Sequence, residues 1–301
     1  MLPPRISMPI LLSAILVLVP VAWAYWATFA DIAERWANDP QYSHGFLVPL
    51  FSAYLLWSRR GRLAGADICP RWWGVGLIAL GGALRLTGYA LYQPWLDSGS
   101  LLVVLVGLVA AAGGRRLLAW AAPPILFLAF MIPLPYRAQT LLGGGLQAVA
   151  TTASTYSLQT LGVPAVAEGN VILLTDTRMG VVEACGGLTM LVTFFALSVG
   201  VAMVAPRGWM TKSALVLSAA PIAVLSNVVR IVVTGVLFES NQSDLARVVF
   251  HDLAGWLMMP LGLILLLAEL YVMDRAVIQV GPGPAASRAD ATTPAAAGVA
   301  G

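Results

Sequence analysis

The chain has 301 residues, 59% of them hydrophobic and only 10% charged, with a mean hydropathy of +0.84. A soluble domain carries about 25% charged residues, so a chain this apolar cannot cover its surface with polar groups; soluble nucleotide-fold enzymes, disordered scaffolds and secreted disulfide modules are excluded. The net charge of +3 does not point to nucleic acid, because the basic residues sit in short loops between apolar runs, and two cysteines are too few for a disulfide framework or a metal cluster.

Spanning a bilayer core takes about 20 apolar helical residues. Eight runs qualify or come near: about 9–29, 44–58, 73–93, 98–114, 117–134, 186–205, 212–237 and 252–273. The first run exceeds a signal-peptide core and leads into Trp23, Tyr25, Trp26 and Trp36, which read as an interfacial aromatic belt. It is therefore expected to stay on as a helix. The fold class predicted is an all-α polytopic membrane protein of about eight transmembrane helices, occupying residues 1–275.

Loop charges orient it. With the N-terminus inside, eleven of the seventeen basic residues fall on the inner side, and three short inner loops carry four, two and two of them. Both termini are then expected to be cytoplasmic, in a bacterial or archaeal inner membrane.

The outer segment 135–185 is too long for a turn. Its first half has small and apolar residues at mixed helical spacing and reads as an amphipathic helix on the outer surface. Its second half alternates, with turn residues at Glu168-Gly169-Asn170 and Asp176-Thr177, and reads as a β-hairpin leading to the sixth run. The tail 276–301 is rich in Pro, Gly and Ala and reads as disordered.

Polar groups within apolar runs are candidate functional sites. Cys185 falls in EACGGL at the start of the sixth run, Arg230 in SNVVRIVVTG in the seventh, and His251 in FHDLAGW at the start of the eighth. The loop-charge topology, derived without these residues, places all three toward the outer face. A helix N-terminus and a nearby cation both favour a thiolate. The backbone N–H groups of Gly186 and Gly187 suit an oxyanion. Arg230 is permanently charged and can only stabilise charge or bind an acceptor. A histidine at a helix start is kept available as a base. Asn227 lies one turn before Arg230, on the same helix face, where it can orient a side chain or the scissile peptide. His44 is the alternative base. Each residue also has a bland reading: a small apolar cysteine, an interfacial histidine, an arginine paired with Glu239 or Asp244. Arg85 and Glu269 read as structural ion-pair residues, Cys69 as an inert thiol in an inner loop, and Met258 and Met259 as packing.

The ordered set EACGGL, NVVRI and HDLAGW, with YSHGFLVPLFSAYLLW at 42–57 and EGNVILL at 168–174, resembles the exosortase/archaeosortase family over about residues 40–273. The chain departs from that pattern where Gly-Gly-Leu-Thr follows the cysteine and many relatives have Ser-Gly-Leu-Arg. The resemblance implies a membrane-embedded cysteine protease or transpeptidase with Cys185, Arg230 and His251 as its catalytic set. Its partners would be exported proteins ending in a short motif, one transmembrane helix and a basic cluster, within membrane lipid. No cofactor or metal is expected. The alternatives from other classes are a small-solute transporter and a non-catalytic export scaffold.

Overall fold

The computed structural model describes residues 19–63, 69–181, 187–240 and 254–276, together with Leu16 and Gln242. Residues 19–24 are helical and continue through Tyr25 into α1 (Trp26–Asn38). A 3-10 turn (Pro40–Phe46) leads to α2 (Leu47–Ser58), then α3 (Trp73–Ala90), α4 (Pro94–Phe127) and α5 (Tyr136–Thr160). Three short strands follow: β1 (Val166–Glu168), β2 (Val171–Leu173) and β3 (Arg178–Gly180). The chain ends in α6 (Gly187–Val204), α7 (Trp209–Glu239) and α8 (Ala254–Ala276). The expected tail lies outside the described residues.

Among the described residues, two helices are long and apolar enough to cross a membrane: Pro94–Met131 and Trp209–Glu239. Only 39% and 33% of their apolar windows are buried inside the protein. The core helix of a soluble protein would be mostly enclosed, whereas Leu126, Leu217, Leu225 and Val229 lie exposed on these two. That outward apolar surface suits lipid, where a helix needs no polar face. The described residues of the other apolar runs also lie mostly in helices, but shorter ones.

The boundary expected between 114 and 117 falls at a break in α4, where two helical stretches meet at Gly114. Gly114 sits at φ 63°, ψ −154° inside α4. A Cβ there would lie 2.4 Å from the Cys69 carbonyl oxygen. Only glycine accepts both the left-handed φ and that approach, so the chain at Cys69 and Arg71 closes over the break. Before it, α4 packs against α3 through small residues. A Cβ on Gly74 would meet the Ala111 backbone at 2.3 Å, and one on Gly88 the Asp97 nitrogen at 2.7 Å. Gly74, Gly81 and Gly88 recur every seven residues and let the two backbones touch, as membrane helix pairs do.

One expectation for the segment 135–185 needs correcting and the other gains detail. The hairpin is a three-stranded antiparallel meander in the order β1-β2-β3, because residues 174–177 make a second turn closed by the Leu174 N–H on the Thr177 carbonyl. The helix before it is a packed element whose buried face is small and polar: Gly143, Ala150, Thr151, Ser154, Thr155 and Leu158. Its other side exposes Leu141, Leu142, Val149 and Tyr156, the apolar face that an amphipathic helix offers to lipid. Leu158 fills the space over Gly235 of α7, where a Cβ would come within 2.9 Å. Ile172, Met179 and Val181 of the meander pack with Ala150, Leu158 and Ile231. The meander thus caps the junction of α5 and α7.

Trp36 also differs from its expected place in an aromatic belt. Its indole donates to the Met131 carbonyl at 3.2 Å and stacks edge-on with Phe46. Trp23 and Trp26 are exposed, as the belt reading expects.

Candidate functional site

α6 and α7 are joined by a four-residue connection, residues 205–208, and pack together through Met190, Phe194, Ala219 and Ala223. Further along α7, away from the connection, come Ser226, Asn227, Arg230 and Thr234, all buried. In an antiparallel pair this stretch runs level with the first residues of α6 and just past them, given the common rise of 1.5 Å per residue. The chain approaches that point from the meander. The Val181 N–H donates to the Asn170 carbonyl at 2.9 Å, and the Asn170 amide donates to Gln147 of α5 at 3.2 Å. The turn expected at Glu168-Gly169-Asn170 therefore ties the approach to the start of α6 onto α5.

Arg230 is 8% exposed. Its Nη2 donates to Asn227 Oδ1 at 3.0 Å, while its Nε has no hydrogen-bond partner among the described residues. No carboxylate among the described residues lies within ion-pair distance of it. Glu239, one of the two structural partners considered, accepts instead from Thr175 at 2.7 Å; Asp244, the other, lies outside the described residues. A buried cation held only by an amide keeps most of its charge available to another anion or oxyanion, because a neutral partner does not cancel it.

Cys185, Gly186 and His251 lie outside the described residues, as do the side chains of Met258 and Met259. Gly187 is the first residue of α6.

His44 is buried, at 5% exposure, in the 3-10 turn. Its Nε2 is 3.2 Å from the Phe130 carbonyl and its Nδ1 3.3 Å from Thr193 Oγ1. A carbonyl can only accept, so Nε2 is the donor to Phe130, while the Thr193 hydroxyl can pair with Nδ1 in either direction. The ring joins the turn, the end of α4 and α6. Beside it, Gly45 lies under the Trp36 indole so closely that a Cβ would sit 2.2 Å from its nitrogen. The His-Gly pair is thus a packing joint with both ring nitrogens engaged.

Arg85 pairs with Asp97 at 3.4 Å and lies 4.1 Å over the Tyr25 ring, and Thr28 donates to the same carboxylate at 2.7 Å. Glu269 takes a hydrogen bond from Ser218 of α7. Arg85 is thus the structural ion-pair residue expected, whereas the described partner of Glu269 is a hydroxyl. Cys69 is an exposed free thiol.

Sequence reasoning missed the hydroxyls around this site. Ser154, Thr155 and Thr234 are buried without hydrogen-bond partners among the described residues. Their signal was present as Thr151, Ser154, Thr155 and Leu158, the i, i+3, i+4, i+7 stripe of a packed helix face.

No curated protein and no solved structure matches the chain. The profile of the transmembrane exosortase family matches residues 36–268, a span that takes in His44, the meander, α6, Asn227, Arg230 and the start of α8. The chain belongs to the transmembrane exosortase family.

Proposed function

We propose that this protein is a multi-pass inner-membrane cysteine protease or transpeptidase that removes C-terminal sorting signals from exported proteins. In this reading it has eight spans with both termini inside, and its active site faces outward. Family membership supports the substrate class and the thiol chemistry. The observation that carries the residue assignment is the buried Arg230, held by Asn227 alone among the described residues.

Cys185 is two residues from Gly187, so its Cα lies within about 7 Å of the first residue of α6 by chain reach. Arg230 approaches the same level along α7. A helix N-terminus and a cation together lower a thiol pKa. His251 takes the thiol proton as general base, the thiolate attacks the scissile carbonyl, and the oxyanion is met by Arg230 and by the N–H groups of Gly186 and Gly187. His251 gives its proton to the leaving amine as the C–N bond breaks. Water, or an acceptor nucleophile that loses its proton to His251, then attacks the thioester and regenerates the thiol. Asn227 fixes the guanidinium.

The test is replacement of Cys185 by Ala in the host, with clients ending in motif, helix and basic cluster followed by size. Full-length clients should accumulate in the membrane while the enzyme level stays normal. Normal processing by Cys185→Ala at wild-type level would leave the scaffold and transporter readings.

A further inference from the structure

The span of α5 from Ala150 to Leu158 packs along the last turns of α7, where Ile231 and Gly235 receive it. Within this seam, Ser154 Oγ, Thr155 Oγ1, Thr234 Oγ1 and Arg230 Nε are buried without a hydrogen-bond partner among the described residues. The three hydroxyl-bearing residues are between 0% and 7% exposed. Other hydroxyls of α5 behave differently: Thr151, Thr152, Ser157 and Thr160 each bond back to the carbonyl one turn earlier. Orphaned polar atoms are costly where water is excluded, and a cluster of them calls for a ligand that the closed seam does not supply.

The seam is also easy to part. Its closure on α5 rests on small residues and on one large aliphatic side chain, Leu158, set over Gly235 and beside Ile231 of α7. α5 carries Gly143, Gly144 and Gly145 in succession, and a Cβ on either of the last two would meet nothing within 4 Å. Each helix-interior glycine weakens a helix by about 1 kcal/mol relative to alanine, so α5 can bend away from α7 at modest cost.

We propose that the α5–α7 seam is the subsite for the extended polypeptide segment of the client, the stretch just before its transmembrane helix. This deepens the enzyme reading and rests on it. A peptide that leaves helical conformation at the membrane exposes N–H and C=O groups that lipid cannot satisfy. The seam exposes hydroxyls, each able to donate and accept. Docking satisfies both sets at once. α5 swings out to admit the strand, and the strand takes the place of the closed contact beside Arg230. The meander, tied to α5 through Asn170 and Gln147, carries this movement toward the start of α6.

The experiment uses the full-length enzyme in its own membrane. The probe is a reporter ending in the motif, helix and basic cluster of a host exported protein, with a photoreactive side chain placed just before the helix. Cross-links should map to α5 and the outer end of α7. The triple variant Ser154→Ala, Thr155→Val, Thr234→Val should lose at least about tenfold in cross-linking and processing, the factor set by one lost hydrogen bond. Its thermal unfolding midpoint should match or exceed that of wild type, because removing an orphaned hydroxyl relieves the closed seam. Thr155→Ser with Thr234→Ser, which keeps the hydroxyls, should process as wild type does. Unchanged cross-linking in the triple variant, a lowered midpoint, or wild-type cross-links only to other helices would each overturn the seam. A wild-type enzyme that cross-links through α5 but leaves the reporter uncut would uphold the seam and sink the cysteine-enzyme reading instead.

Discussion

Arg230 donates from Nη2 to Oδ1 of Asn227, 3.0 Å away and one turn earlier on α7, with both side chains buried. The pair fixes a guanidinium without neutralising it. A hydrogen bond to a charged group contributes about 1.5–3 kcal/mol, and each 1.4 kcal/mol is about tenfold in rate. Asn227→Ala should therefore slow client processing by about 10- to 100-fold at unchanged protein level. Asn227→Asp holds the same geometry but supplies a carboxylate, so it should slow processing at least as much. Wild-type processing by Asn227→Asp would mean that the charge on Arg230 is not used.

Thiol reactivity reads the same charge directly. Cys69 is exposed and far from α7 in sequence. Cys185 should react with a small alkylating reagent faster than Cys69 near neutral pH, and Arg230→Ala should bring the two rates closer, since a nearby cation raises the thiolate fraction. The rates are compared by mass spectrometry of membranes quenched at intervals. Equal rates for the two thiols in the wild-type enzyme would count against an activated nucleophile.

The helices were legible because apolar runs bounded by Arg and Gly carry their own signal. Even the break at Gly113-Gly114-Arg115-Arg116 fell where the kink lies. The i, i+3 spacing of Asn227 and Arg230 was enough to pair them. Long-range partners were not legible. The carbonyl and hydroxyl that hold His44 come from Phe130 and Thr193, 86 and 149 residues away. The third strand, Arg178–Gly180, has three residues and no alternation to announce it. The buried face of α5 was not legible, because it is small and polar and a pattern that counts apolar residues sees only the exposed Leu142, Val149 and Tyr156. The orphaned hydroxyls of the seam belong to the same gap, since they gain meaning only when α7 is set against α5.

The two histidines should separate cleanly. His44→Ala removes a group that satisfies a buried carbonyl and a buried hydroxyl, which should cost about 1–3 kcal/mol of stability. The variant should unfold at lower temperature in detergent, yet the folded fraction should still process clients. His251→Ala should keep the unfolding midpoint near wild type and abolish processing. The opposite pattern would move the base role to His44.

Small residues in the α3–α4 contact should be far less replaceable than their neighbours. Gly74→Ala drives a methyl into the Ala111 backbone, and overpacking of this kind costs about 1–3 kcal/mol. Gly82 is one residue past the tight position Gly81, and a Cβ there meets nothing within 4 Å. Gly82→Ala should be neutral or should stabilise by up to about 1 kcal/mol through helix propensity. Thermal unfolding of the two variants, side by side in the same detergent, checks this. Equal midpoints would mean that α3 and α4 do not pack through Gly74.

Orientation can be tested at two positions chosen for exposure. Gly61 lies in a 3-10 turn after α2 (Arg60–Leu63), and a Cβ there meets nothing within 4 Å; Asp176 is exposed in the turn between β2 and β3. Eleven of the seventeen basic residues fall on the side of Gly61 when the expected spans alternate, so Gly61 is expected inside and Asp176 outside. In a Cys69→Ser, Cys185→Ser background, Asp176→Cys should react with an impermeant maleimide added to intact cells. Gly61→Cys should react only after the membrane is opened. Both substitutions sit on open surface, so each protein should reach the membrane at wild-type level. Labelling of Gly61→Cys in intact cells, with Asp176→Cys protected, would put the Arg230 end of α7 on the cytoplasmic side. Sorting signals of already exported proteins would then be out of reach, and the outward-facing active site would have to be abandoned along with them.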